Sequence, residues 1–201
     1  MAAPVIRKLK LQMQMTVDGF VCGPNGTLGW MSFDWDDKIK DYVIALTDSV
    51  DTILLGRKMT DGFISYWTDI VTKPEDPQYE FARMMVDKPK VVFTKTLNKS
   101  KWENTEIAKG DLVEEITKLK KSPSSLNSGH PKDIIVYGGA SFVTSLVGNN
   151  LIDEYNLFIN PVSIGKGLSI FTLLDNKLNL KLLKSAAFDC GIVLNCYKPD
   201  I

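Results

Sequence analysis

The chain has 201 residues, with 24 Lys and Arg set against 24 Asp and Glu, and 44% of its residues are hydrophobic. That length and apolar fraction fit one domain over residues 1–201 with an ample core, and the charge balance excludes a broad basic face for nucleic acid. Met1 to Lys10 lacks the apolar core of a signal segment and no stretch is long enough to span a bilayer, so a cytoplasmic protein is expected.

Leu9, Leu11, Met13 and Met15 alternate with Lys10, Gln12, Gln14 and Thr16, the period of a half-buried strand. The strand is expected over 8–21, bulged or broken at Asp18-Gly19. Asp34 or Asp36 is placed to cap a helix carrying Ile39, Tyr42, Val43 and Leu46. Asp51 to Leu55 reads as a buried strand that stops at Gly56. Arg57, Lys58, Met59 and Thr60 then open a helix with Phe63, Tyr66 and Trp67, capped by Thr60 or Asp61. Two cations at a helix start oppose its dipole, a cost that a bound anion offsets; a solvated basic pair is the plainer reading.

Prolines mark 71–79 as loop, and Glu80 to Val86 as a short helix. Lys90 to Phe93 is a strand ending in Thr94-Lys95-Thr96, which also reads as a polar loop. Trp102 is expected to pack on the body, 105–107 to be a short strand, and Asp111 to Glu114 to form a capping box for a helix reaching Lys121. A Ser/Pro/Gly linker follows; its His130 reads as solvated. Cys22, Cys190 and Cys196 have no metal or redox spacing, so reduced thiols and no metal site are expected.

Asp133 to Phe142 is the stretch around which the rest is arranged. Its β-branched run ends in Gly138-Gly139, and Phe142, Val143, Leu146 and Val147 follow at helical spacing. Glycines let backbone approach a ligand closely, and the amides of Ala140, Ser141 and Phe142 at a helix start suit an anion. Beyond it come a strand over 153–160, a turn-rich loop over 161–167, and two late strands around a turn at 188–191. The pattern predicts an α/β fold with a mixed, mainly parallel sheet, helices on both faces and an antiparallel C-terminal hairpin. Strand C-termini in such a sheet share one edge, so three junctions would converge there as a receiver for a ligand with several phosphates. The chain has neither a Walker loop nor G-x-G-x-x-G, which disfavours a nucleoside triphosphate and an ordinary dinucleotide fold.

Met15-Thr16-Val17-Asp18-Gly19, Leu55-Gly56-Arg57-Lys58-Met59-Thr60, Val91 to Leu97, Val136 to Ala140, and the run from Leu151 to Phe171 resemble the dihydrofolate reductase-like superfamily. They are most similar to stand-alone members of its riboflavin-biosynthesis reductase C-terminal-domain family, from Arg7 to Pro199. The resemblance implies the three-layer dihydrofolate reductase-like fold and an NADPH-dependent reductase of a small pyrimidine- or pterin-like heterocycle. A 5-amino-6-(5-phosphoribosylamino)uracil reductase-like activity in riboflavin biosynthesis falls within that class. It implies pyrophosphate contacts after Gly56 and at Thr60, and Arg57 at the adenosine 2′-phosphate beside Thr94, Lys95 and Thr96, with Lys58 also on the cofactor. Gly138, Gly139, Ala140 and Ser141 would lie under nicotinamide and pyrophosphate, and the backbone of Gln14 and Val21 at the carboxamide. Asp18 becomes the catalytic candidate, although Asp-Gly is also a plain turn; Asp34, Trp35, Phe63 and Trp67 become the substrate candidates. The family places an acid before Gly-Gly, where this chain has Tyr137. That departure keeps open a non-catalytic, NADPH- or ligand-binding homodimer, with Leu182, Leu183, Ile192 and Leu194 at its interface.

Overall fold

A computed structural model describes residues 6–122 and 132–200, and His130 lies outside them. In chain order the elements are β1 (Leu9–Thr16), α1 (Asp37–Asp48), β2 (Val50–Gly56), α2 (Arg57–Val71), α3 (Tyr79–Asp87), β3 (Lys90–Phe93) and β4 (Thr105–Ala108). They continue with α4 (Leu112–Lys121), β5 (Asp133–Val136), α5 (Ala140–Gly148), β6 (Glu154–Asn160), β7 (Leu180–Ala187) and β8 (Val193–Pro199).

Among the described residues all eight strands join one sheet, in the order β4-β3-β2-β5-β1-β6-β8-β7. The first six run parallel; β8 lies antiparallel to β6, and β7 antiparallel to β8. Helices α4 and α5 cover one face, where Ile116, Val143 and Leu146 pack on Leu9, Leu11 and Met13. Helices α1, α2 and α3 cover the other, through Leu46, Phe63 and Met85 on Ile53, Leu55 and Ile135.

This layering corrects the reading of the first strand. Alternation predicts a wet face, yet all eight residues of β1 are buried. The strand lies between β5 and β6 with helices on both sides, so Lys10, Gln12, Gln14 and Thr16 point under α1 rather than to solvent. The strand also ends at Thr16, where Gly19 turns the chain with φ +85° and donates to the Thr16 carbonyl at 3.0 Å.

The first helix starts at Asp36, whose Oδ1 accepts from the Ile39 amide at 3.0 Å. Asp34 does not cap it; its Oδ2 accepts from the Ser32 hydroxyl at 3.3 Å. Asp111 caps α4 through the Val113 and Glu114 amides. The expected cap of α2 by Thr60 or Asp61 does not form. Gly56 occupies the cap position, the Thr60 hydroxyl donates to the Gly56 carbonyl at 3.1 Å, and Asp61 turns outward to cations.

At the N-terminal edge of the sheet the charges pair within the protein. Arg7 bonds buried Asp51 and, at 2.8 Å, the Thr52 hydroxyl. Lys10 meets Asp133 at 3.0 Å and Ser49 at 2.9 Å, and Lys120 meets Asp153 at 2.6 Å. Lys90 donates to the Val86 and Lys88 carbonyls, and burial lowers its pKa to about 8.

Candidate functional site

The C-terminal edge is built differently. Strands β3, β2, β5, β1 and β6 are consecutive neighbours, so the turns after them line up side by side. Two of these turns lead straight into helices, α2 after Gly56 and α5 after Gly139. Gly139 has φ +83° and Gly138 φ +146°, conformations that L side chains rarely adopt. The two turns also touch. A Cβ on Gly139 would stand 3.3 Å from the Gly56 Cα, and one on Gly56 would stand 2.8 Å from the Phe142 Cβ. Glycine at both positions therefore lets two helix N-termini abut. The unpaired first-turn amides of Arg57, Lys58 and Met59 come beside those of Ala140, Ser141 and Phe142. Backbone amides and aligned dipoles make such a pair a strong seat for an anion.

The third junction sits on the same side. Phe93, ending β3, stacks on Phe142 at 4.9 Å. Thr94 Oγ1 accepts from the Thr96 amide at 3.1 Å and so shapes the turn, while Lys95 and Thr96 are exposed. Arg57 does not stand alone. Its guanidinium donates to Asp61 at 2.9 Å and lies 5.5 Å from the Trp102 ring centroid. Lys101 joins the same carboxylate at 2.8 Å and the same ring at 5.1 Å. Lys101 first, then Arg57, hold the Asp61 carboxyl below its ordinary range. Sequence reasoning missed Lys101 as a member of this group. The Arg57–Asp61 spacing of four was the one local sign of it.

Over Gly138 the neighbours are Met59 and Met13, within 3.4 and 3.8 Å of a Cβ built there. Tyr137 stacks on Phe63 at 5.8 Å and shares a 2.9 Å hydrogen bond with the Thr47 hydroxyl. Burial pushes its phenol well above the usual value. The Val21 amide donates to the Leu168 carbonyl at 2.9 Å.

Asp18 is occupied. Its Oδ2 accepts from the Ser163 hydroxyl at 2.7 Å, the Ile164 amide at 3.1 Å and the Gly165 amide at 2.7 Å. The Thr16 hydroxyl, then Ser163 and these amides, hold the carboxyl well below its ordinary value. It anchors the loop after β6 to the end of β1.

A cavity of about 430 Å³ opens at the same edge beyond β1; its walls include Trp30, Ser32, Asp34, Trp35, Asn160 and Cys190. The four residues expected around a substrate are thus divided. Asp34 and Trp35 line the cavity, Phe63 stands beside Tyr137, and Trp67 packs edge-on against Phe81 of α3 at 5.3 Å. Four buried polar atoms among the described residues lack partners: Gln12 Oε1, Gln14 Nε2, Trp30 Nε1 and Trp35 Nε1. All come from β1 and the loop after it. Gln14 leads to the cavity, because its Oε1 accepts from Asn160 at 2.7 Å. Buried polar groups are ordinarily satisfied, so these atoms carry hydrogen-bonding capacity that the described protein groups do not use.

A family model described as the RibD C-terminal domain matches residues 7–194. The chain belongs to that family. Uncharacterized protein YyaP of Bacillus subtilis is 36% identical, over 95% of this chain and 94% of its own. The crystal structure of a Shewanella sp. PV-4 protein named for riboflavin biosynthesis superposes with a TM-score of 0.69 at 20% identity, covering 98% of this chain and 100% of that one. A dihydrofolate reductase from Enterococcus faecalis, complexed with NADP(H), gives 0.57 at 14% identity, over 96% and 97%. The fold is therefore the dihydrofolate reductase-like one. In this RibD C-terminal domain the position before Gly138-Gly139 carries a hydrogen-bonded tyrosine in place of the acid that the resemblance leads one to expect.

Proposed function

We propose that this protein is an NADPH-dependent reductase of a small heterocycle, within the riboflavin-biosynthesis reductase-like class. The observation that carries it is the contact of Gly56 with Gly139, which brings two helix N-termini together beside Arg57, Lys58, Lys95 and Lys101. The cradle suits a dinucleotide, and it depends on glycine at both positions, since a Cβ at either would push the two turns apart. Family membership supports the same reading.

The amides of Arg57, Lys58, Met59, Ala140 and Ser141 hold the pyrophosphate in this reading. Thr60 contributes no hydroxyl, since it is spent on Gly56. Arg57 meets the 2′-phosphate, with Lys95, Thr94 and Thr96 at the same corner. Asp61 and Trp102 preorganise the Arg57 fork, which suits planar phosphate recognition. Gly138, Gly139, Met13 and Gln14 underlie the nicotinamide, and with the Val21 amide engaged by Leu168, the Val21 carbonyl is left for the carboxamide. NADPH supplies the hydride. The protein's part is alignment and exclusion of water by Met13, Met59 and the Phe63–Tyr137 stack. Asp18 acts as a positioning residue that keeps the 163–165 loop against β1, and Asp34 and Trp35 face the substrate.

Titration of NADPH and NADH against tryptophan fluorescence tests this. NADPH should bind tighter, and Arg57→Ala should weaken NADPH by ~10-fold while changing NADH little. Failure of both dinucleotides to bind overturns the reading. Tyr137 favours a second reading, a ligand-binding homodimer without turnover, with a second copy on the exposed outer strand at Leu182 and Leu183. Its signature is NADPH binding with no oxidation across a pterin, pyrimidine and quinone panel, in a protein that sediments as a dimer.

A further inference from the structure

Arg57, Lys58, Lys95 and Lys101 stand at the β2–β3 end of the C-terminal edge, and Lys166 on the loop after β6. The cavity at the β6–β8 end has Asp34, Ser32 and Asn160 as its polar walls, and no Lys or Arg among its described lining residues. Its flat walls are Trp30 and Trp35. Two strand spacings, roughly 10 Å, separate it from the Gly138 turn, the span of a small ring system. The start of α1 nearby offers no seat for a phosphate. Asp36 caps it through the Ile39 amide and also accepts from the Cys190 amide at 3.1 Å, and Asp37 adds a second negative charge. Lys38, the cation next along the chain, is already held by Asp189 at 3.0 Å.

We infer that this cavity takes a flat, unphosphorylated heterocycle bearing an amino group, and that it rejects phosphoribosyl compounds. The inference rests on the reductase reading and narrows it. Indole faces stack on the ring, the Asp34 carboxylate accepts from the amino group, and the Gln14–Asn160 amide pair reads a ring edge. A dianionic phosphate inside the cavity would face the Asp34 carboxylate and no lining cation. Specificity here comes from a repulsive group as much as from an attractive one.

The test compares 5-amino-6-(5-phosphoribosylamino)uracil with the same compound after phosphatase treatment, alongside pterin and 2,4-diaminopyrimidine. Binding is followed by tryptophan fluorescence and calorimetry, with and without saturating NADPH. The dephosphorylated compound should bind at least ~10-fold tighter than its phosphate, a gap of about 1.4 kcal/mol. Asp34→Asn should weaken 2,4-diaminopyrimidine several-fold, and Asp34→Lys should narrow or reverse the phosphate discrimination. Asp34 is exposed, so neither variant threatens the fold. Equal or tighter binding of the phosphorylated compound overturns the inference, as does failure of every unphosphorylated probe to bind. Discrimination against phosphate in a protein that ignores NADPH upholds the cavity assignment and removes the reductase reading, so the two fail separately.

Discussion

The two edges of the central sheet spend their polar groups in opposite ways. At the N-terminal edge Arg7, Lys10 and Lys120 each close on an aspartate, and Lys90 on two carbonyls. At the C-terminal edge two helix N-termini leave their first amides facing outward, and among the described residues the buried Gln14 Nε2, Trp30 Nε1 and Trp35 Nε1 near it have no partner. A closed edge holds strands in register, whereas an open one has donors left to recognise something else. Stability and binding should therefore separate by edge when residues are changed.

The largest effect is expected at the closed edge. Asp51→Ala leaves the Arg7 guanidinium, already pulled down in pKa by burial, without its carboxylate. Removing one member of a buried pair should cost about 3–5 kcal/mol, read as a lower urea midpoint. NADPH affinity of the remaining folded protein should stay near wild type. Loss of binding in proportion to stability would erase the distinction between edges.

Gly139→Val comes next and reaches both properties. It places a side chain at φ +83° and against the Gly56 Cα, for a strain of about 1–3 kcal/mol. Dinucleotide binding should fall by ~10-fold or more while the circular dichroism spectrum is retained. Unchanged affinity would mean that the glycine contact serves packing alone.

Asp18→Asn should be the mildest. It weakens the hold on Ser163, Ile164 and Gly165, so amide exchange in 163–168 should quicken while the core strands stay protected. The sign with pH follows from the depressed carboxyl. Its contribution is complete above the unfolded value near 3.8 and fades as pH falls below it, and the variant should lose that acid-side slope in melts between pH 5 and pH 2. An unchanged exchange pattern would deny the loop its anchor.

What could be read from residues alone was what local chemistry decides. A cap by Asp34 or Asp36, the Gly138-Gly139 turn and the succession of most strands along the chain each follow from a few neighbouring residues. The polar half of β1 misled, because alternation reports side-chain direction and not whether a helix covers that side. Asp18 escaped for a different reason: its partners lie 145 to 147 positions away, and no spacing encodes them. The Lys101–Trp102 corner and the Trp30 wall are likewise assembled by loops that meet only once the sheet is formed. Phe63 and Trp67, one turn apart on α2 and both substrate candidates by resemblance, part company in the fold: one reaches the Gly138 turn and the other a helix seam.

The tyrosine before the paired glycines has a consequence for proton inventory. Its phenol keeps its hydrogen through the neutral range, and the carboxylate at the end of β1 stays ionised throughout. Neither can bend a rate profile between about pH 5 and 9. If turnover there nonetheless rises and falls with acidity, those limbs describe ionisations elsewhere, the incoming molecule's own included, and titrating that molecule free in solution would show whether it owns them.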